Sequence, residues 1–307
     1  MTKKVYIAEY LDQIVTVSVR NSAYPERQQD FVDNIENLQK MNNLKIKDKN
    51  NNNNKQNLEN KAINFLGSCN NEIIVTEYQP EGTLKDLLET ENYHQTHDIK
   101  SKINLVIEYV KAINFIHNYE ENDDAKHIYC DSHKLDGTTK QFLIGRDFGE
   151  NGEHEKLKLI LSDMDDVPRL DKSNDYKANC KHQDFLSART DILAQNFLAP
   201  EQINQLKTNN NNYNGNLNFN EKSDIYKIPD IAAHIIFGGT YKKPTTAINQ
   251  AKIIPENKIS DQLNSLIYGK NSELASILRR CRSLRAEDRP SSREILQILE
   301  ESQASFL

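Results

Sequence analysis

Three aspartates stand where apolar segments give way to polar ones. There a carboxylate can take a proton from a hydroxyl or help to hold a divalent cation. Asp131 lies in Tyr129-Cys130-Asp131-Ser132, Asp147 in Asp147-Phe148-Gly149, and Asp163 in Ser162-Asp163-Met164-Asp165. Gln141, ten residues after Asp131, opens the run Gln141-Phe142-Leu143-Ile144 and offers an amide oxygen suited to magnesium. Further on, Ala199-Pro200-Glu201, Ser223-Asp224-Ile225-Tyr226 and Arg289-Pro290 set charged residues beside helix-starting sequence. A proton acceptor and oxygen ligands for a cation are parts that phosphoryl transfer requires.

The elements that must position these groups follow from periodicity. Val5 and Ile7, then Ile14, Val15, Val17 and Val19, flank the turn-like Tyr10-Leu11-Asp12-Gln13 and predict a β-hairpin. Phe31, Ile35, Leu38 and Met41 predict an amphipathic helix over 26–41. A second strand pair is expected at 62–66 and 72–78. Pro80-Glu81-Gly82 then punctuates a hinge near 77–82. Ile103, Val106, Val110, Ile113 and Ile116 put one apolar side on a helix over 100–119. Short strands are expected at 141–144 and 157–162, and a helix after Pro290-Ser291-Ser292.

Composition narrows the classes. The chain has 307 residues, with Lys+Arg 39 against Asp+Glu 45 and a net charge of -6. That balance lacks the basic footprint of a general nucleic-acid binder, so no nucleic-acid partner is expected. No apolar run approaches the ~18 residues of a membrane-spanning helix, so no membrane segment is expected within the chain. The four cysteines, Cys69, Cys130, Cys180 and Cys281, form no CxxC pair and offer no zinc-ligand spacing. Asn-rich tracts near 42–60 and 207–220 read as solvated insertions, and Lys45, Lys47 and Lys49 as part of a charged flexible stretch.

The ordered set of Ala199-Pro200-Glu201, Asp224 and Arg289, after the hinge-like Val75–Leu84, resembles the eukaryotic protein-kinase fold. That resemblance implies an α+β, bilobal architecture: a small β-rich lobe over 1–78 and a larger, mostly helical lobe over 79–307. It implies a buried Glu201–Arg289 ion pair, an Asp224 that anchors the catalytic loop, and Asp131 as proton acceptor. Glu77 and Tyr78 fall on the hinge that holds the nucleotide. The Asn expected five residues after Asp131 is missing, and Gln141 takes its place after an insertion. Asp147-Phe148-Gly149 spells the metal-binding tripeptide but is expected in the turn after the first strand of a hairpin. Leu157–Ser162 supplies the second strand, so Asp163 is the expected metal ligand and Asp147 a loop residue. Ser18 stands where the nucleotide-binding lysine belongs and Asn34 where its glutamate partner belongs.

Cys130-Asp131-Ser132, Gln141-Phe142-Leu143, Ser162-Asp163-Met164-Asp165, Cys180-Lys181-His182 and Asp224-Ile225-Tyr226-Lys227-Ile228-Pro229-Asp230 resemble the protein O-mannose kinase family. So do Lys3-Lys4-Val5-Tyr6 and Val15-Thr16-Val17-Ser18. The resemblance implies an ATP-dependent enzyme, using Mg²⁺ or Mn²⁺, that phosphorylates the 6-hydroxyl of mannose in an O-mannosyl glycan. It implies a dystroglycan-type glycoprotein partner and a luminal endoplasmic-reticulum location with an N-terminal membrane anchor. Lys3 would be the relocated lysine on the phosphates, Ser18 the vacated position, and Asn34 would need no ion-pair role. Asp163 and Gln141 would hold metal, and disulfides become plausible. The family's first strand and Gly-rich loop would precede Lys3; a truncated gene model is the expectation.

Simpler readings stand beside these. Lys3 alone reads as a solvated terminal residue, Asp163–Asp166 as an acidic turn, and His127, His133 and His182 as surface or hydrogen-bonding groups. A catalytically inactive scaffold of the same fold and a Ser/Thr protein kinase are the competing functions.

Overall fold

The computed structural model describes residues 3–25, 28–48, 61–90, 92–118, 125–128, 139–148, 155–164, 167, 169–171, 178–181, 198–208, 216–237 and 273–304. β1 (Lys3–Tyr10) and β2 (Gln13–Arg20) form the expected hairpin. Leu11 and Asp12 both take positive φ (50° and 60°), which turns the chain in two residues with the right twist. β2 continues to β4 (Ile73–Glu77), and β4 to β3 (Phe65–Cys69), giving an antiparallel sheet in the order β1-β2-β4-β3. β1 is an edge of the described sheet, and Val5, Tyr6 and Ile7 on it are exposed.

The strand expected at 62–66 begins only at Phe65. Ala62 instead bridges to Leu161, and Lys61, Ala62 and Ile63 are all buried there, so this stretch joins a different part of the molecule.

α1 (Gln28–Asp48) buries Phe31, Ile35, Leu38 and Met41, as the periodicity predicts. It runs on to Asp48, past the boundary at 41 drawn where the Asn-rich tract begins. Asn42 belongs to the helix and donates to the Phe65 carbonyl at 3.2 Å.

The other part is mainly helical: α2 (Leu84–Leu88), α3 (Tyr93–Thr96), α4 (Ile99–Asn118), α5 (Pro200–Thr208), α6 (Glu221–Ile225), α7 (Ile228–Phe237), α8 (Glu273–Cys281) and α9 (Ser292–Ala304). α4 is its axis. It is buried on nearly every side, Leu105, Ile107, Tyr109 and Ala112 included, because the strand Glu155–Leu161, α7 and α9 pack around it. The one-sided stripe expected from its sequence is therefore only part of its contact surface.

Three strand pairs complete the described structure: β5 (Ala125–His127) with β8 (Arg169–Asp171), β6 (Phe142–Phe148) with β7 (Glu155–Leu161), and β9 (Ala178–Lys181) with β10 (Asn216–Phe219). β10 lies inside the tract read as a solvated insertion. Asn216–Phe219 pairs antiparallel with Ala178–Lys181, so that end of the tract is structured. No described helix is long and apolar enough to cross a membrane. A small antiparallel sheet beside a helical part is consistent with a kinase-like fold.

Candidate functional site

The β6–β7 hairpin sets the site. Its register runs from Phe142↔Leu161 to Phe148↔Glu155, and Phe142 and Leu161 are fully buried. The Tyr109 ring meets Phe142 edge-on, with centroids 5.3 Å apart, seating the start of β6 on α4. Beyond the last pair, the Ser162 N–H and hydroxyl both donate to the Gln141 carbonyl, at 2.9 and 3.0 Å. Gln141 and Asp163 therefore lie at the same end of the hairpin.

A strap fixes that end from the other side. Leu161 N–H donates to Lys61 C=O at 2.7 Å, and Ile63 N–H to Leu161 C=O at 2.9 Å. The Lys61 ammonium, 2% exposed, lies 2.6 Å from a carboxylate oxygen of Glu108 on α4. A buried ion pair holds when both charges find close partners. Here it joins the strap, the hairpin and the central helix.

Asp163 receives groups from two remote segments. Lys3 Nζ on β1 lies 2.7 Å from Asp163 Oδ2, across 160 residues of sequence. Asn34 Nδ2 on α1 donates to Asp163 Oδ1 at 3.1 Å, and Met164 N–H donates back to Asn34 Oδ1 at 3.1 Å. One turn along α1, Asn37 Nδ2 donates to the Met164 carbonyl at 2.8 Å. The Lys3 and Asp163 side chains stay 22% and 13% exposed, so the pair is reachable from solvent.

Asp147 is elsewhere. It lies near the end of strand β6 rather than in the turn, a correction to the expected loop, because the hairpin is longer than its apolar core: β6 runs to Phe148 and β7 starts at Glu155. Asp147 is exposed and paired with Lys158 Nζ at 2.8 Å, and that ammonium holds its carboxyl below the usual range. From Phe142↔Leu161 to Asp147↔Lys156 is five ladder steps, about 17 Å at ~3.4 Å per residue. A cation bound at Asp163 is out of its reach.

The hinge runs beside the hairpin. Glu77 ends β4; its N–H donates to Asn64 C=O at 3.0 Å and its carboxylate accepts from Gln79 Nε2 at 3.0 Å. Tyr78 begins the connection. Gly82 C=O then accepts from Ile144 N–H at 2.9 Å, which lays the connection against β6. Gly82 takes φ +75°, and a Cβ there would lie 3.2 Å from the Asp86 carboxylate that caps α2 through Thr83. Ser18 sits in β2 between Val5 and Ile74.

Asp131 lies outside the described residues, as do Cys130, His133 and His182. The expected ion pair below is present: Arg289 grips both carboxylate oxygens of Glu201 at 2.8 and 2.7 Å, its side chain 0% exposed. Arg289 also lies over the Tyr226 ring, and Arg282 pairs with the buried Asp230. Asp224 Oδ2 meets His117 Nε2 at 3.1 Å, and His117 Nδ1 meets Ser292 Oγ at 3.2 Å, which ties α6 to the ends of α4 and α9. Cys69 is exposed and Cys281 buried, both free thiols, and burial pushes Cys281 up to about 12.

Sequence reasoning placed Asn34 but not its contact with Asp163, and missed Asn37, His117 and the Lys61–Glu108 pair. The available signal was a polar residue within an apolar stripe: Asn34 between Phe31, Ile35 and Leu38, and His117 directly after Ile116. Among the described residues no group of three or more His, Cys, Asp or Glu converges to hold a metal. Mg²⁺ needs no such cage, since one or two carboxylates and the substrate's own phosphates complete its shell. The accessible carboxylate of Asp163, with Gln141 at the same end of the hairpin, is of the hard-oxygen type that suits Mg²⁺ or Mn²⁺.

No protein-family model matches the chain. Curated relatives do. The Protein O-mannose kinase of Xenopus laevis is 28% identical over 240 residues, 76% of this chain and 57% of that protein. Those of Macaca fascicularis and Homo sapiens are 26% and 25% identical over 240 and 239 residues, with the same coverage. The chain thus spans a little over half the length of these relatives. Across three quarters of its own length, the resemblance to protein O-mannose kinases read from its motifs is shown.

Proposed function

We propose that the chain is a phosphotransferase of bilobal kinase fold that moves the γ-phosphoryl group of ATP to an alcohol, the 6-hydroxyl of mannose in an O-mannosyl glycan on a glycoprotein. The observation that carries the reading is the Lys3–Asp163 contact of 2.7 Å at the open end of the β6–β7 hairpin. A cation suited to phosphates and a carboxylate suited to a metal meet there from segments 160 residues apart.

Lys3 places positive charge where nucleotide phosphates lie between the small sheet and the hairpin. Asp163 and Gln141 would hold the metal, which would supply positive charge against the phosphates of the nucleotide. Backbone groups of Glu77 and Tyr78 take the base at the hinge. Asp131 accepts the proton of the attacking hydroxyl, so that the oxygen arrives as a better nucleophile. The similarity to proteins named Protein O-mannose kinase supports a mannose-bearing acceptor.

The test is transfer from labelled ATP to an O-mannosyl trisaccharide, compared with a generic Ser/Thr peptide. Trisaccharide phosphorylation that disappears in Asp131→Ala is the expected result. Equal labelling of the peptide, or transfer that survives Asp131→Ala, overturns the proposal.

A further inference from the structure

We propose that Asn34 is a positioning residue: its amide fixes the rotamer of Asp163 and so presents the Lys3–Asp163 pair to the metal–nucleotide. The metal–nucleotide half of this statement rests on the phosphotransferase reading above; the clamp itself does not.

The chemistry of the contacts fixes the orientation of the amide. A carboxylate can only accept and a backbone N–H can only donate, so Nδ2 must face Asp163 Oδ1 and Oδ1 must face Met164 N–H, each at 3.1 Å. The two bonds close a ring around the Asp163 side chain and the peptide that follows it. Turning the carboxylate away breaks the donor bond inside a pocket where Asn34 is only 2% exposed, and an unmet amide there is costly. With Oδ1 held in this way, Oδ2 is the oxygen that faces Lys3 at 2.7 Å.

An acid at position 34 could not do this. It would bring a second carboxylate to about the same separation from Asp163, where two like charges cannot both stay ionised. It would also compete for the single ammonium of Lys3. A neutral amide holds α1 to the Asp163–Met164 segment and adds no second anion beside the lysine. Asn37, one turn on, repeats the logic with a backbone partner only, donating to Met164 C=O at 2.8 Å and to Val167 C=O at 3.5 Å. The docking of α1 on this segment thus uses two neutral side chains, and only Asn34 touches the carboxylate.

Asn34→Leu, Asn34→Ser and Asn37→Leu in the full chain test the assignment, with two readouts. Met164 amide hydrogen exchange is followed without metal or nucleotide; Mn²⁺ bound with a non-hydrolysable ATP analogue is followed by its electron paramagnetic resonance. Loss of Asn34 should speed Met164 exchange and weaken Mn²⁺–nucleotide binding, each about tenfold or more, while Leu143 and Ile160 amides in the hairpin keep their protection. Asn34→Ser, polar but too short to span both partners, should show the same split, so the result does not depend on the leucine variant folding. Asn37→Leu should leave Mn²⁺–nucleotide affinity within about threefold. The proposal is overturned if Asn34 variants leave either Met164 exchange or Mn²⁺ affinity unchanged, or if Asn37→Leu weakens Mn²⁺ as much. A wild-type chain that binds no Mn²⁺–nucleotide, yet loses Met164 protection in Asn34→Ser, refutes the phosphotransferase reading and leaves the clamp standing.

Discussion

Asp147 and Asp163 compete for one role, and replacing each by its amide separates them. Asp163→Asn keeps the shape of the side chain and an oxygen that can still accept from Asn34, so the fold should persist. It removes the anionic metal ligand and the counter-charge of Lys3, which lies 2.7 Å away and is 22% exposed. Loss of a charge-stabilising group in a preorganised site costs about 10²–10³-fold in turnover. Asp147→Asn removes an exposed carboxylate from a cross-strand pair with Lys158 at 2.8 Å. Such pairs contribute little and are screened by salt.

The separation of about 17 Å along the ladder means that a cation held at Asp163 does not sense the second change. Initial rates of phosphate transfer and melting temperature, measured on both variants and the parent, make the comparison. Asp147→Asn should stay within about twofold of the parent rate, the limit set by a surface pair of this kind, and should melt with it. An Asp147→Asn enzyme as impaired as Asp163→Asn would refute the assignment of the second strand. So would an Asp163→Asn enzyme that keeps most of its rate.

Two other consequences follow from packed charges. Removing Glu201, itself 28% exposed, leaves the 0% exposed Arg289 with backbone carbonyls but no carboxylate; Glu201→Ala should therefore lower stability by about 2–3 kcal/mol, below the fully buried-pair range, and the melting temperature by several degrees in thermal unfolding, whereas a shift near zero would contradict the pairing. At the start of α9, Ser291 N–H and hydroxyl bond the Glu294 carboxylate and hold it below its ordinary 4.5. A lowered folded-state value stabilises above the unfolded value and is lost as pH falls through the folded one, so urea unfolding should show this stability fading below about 4.5. Ser291→Ala, which keeps the backbone N–H bond to Glu294 and loses the hydroxyl bonds, should shallow that slope without abolishing it and cost about 1 kcal/mol at neutral pH.

What could be read in advance depended on whether a residue signals its role to its sequence neighbours. The place of Asp163 just past a second strand was legible because Leu157, Leu159 and Leu161 alternate, as such a strand must. Glu201 and Arg289 were legible from the short strings that carry them. Lys61 and Glu108 were not, since a buried charge looks in sequence like any surface charge until its partner, 47 residues away, is seen. The end of α1 was misread because Asn42-Asn43 reads as a breaker, yet Asn42 turns its amide to the Phe65 carbonyl and the helix continues.

The sequence linked Lys3, Ser18 and Asn34 as a relocated lysine, its vacated position and a residue with no ion-pair role, and the geometry adds that Lys3 and Asn34 meet the same carboxylate. With the lysine on β1 rather than at Ser18 in β2, its ammonium lies directly on Asp163. Once that contact forms, a glutamate on α1 would be a second anion at the same cation and against the same carboxylate. An amide there satisfies Asp163 Oδ1 and Met164 N–H together and adds no charge. If Lys3 serves the nucleotide as proposed, a neutral residue at position 34 spares that contact a competing anion, and a small side chain such as Ser18 suffices in β2.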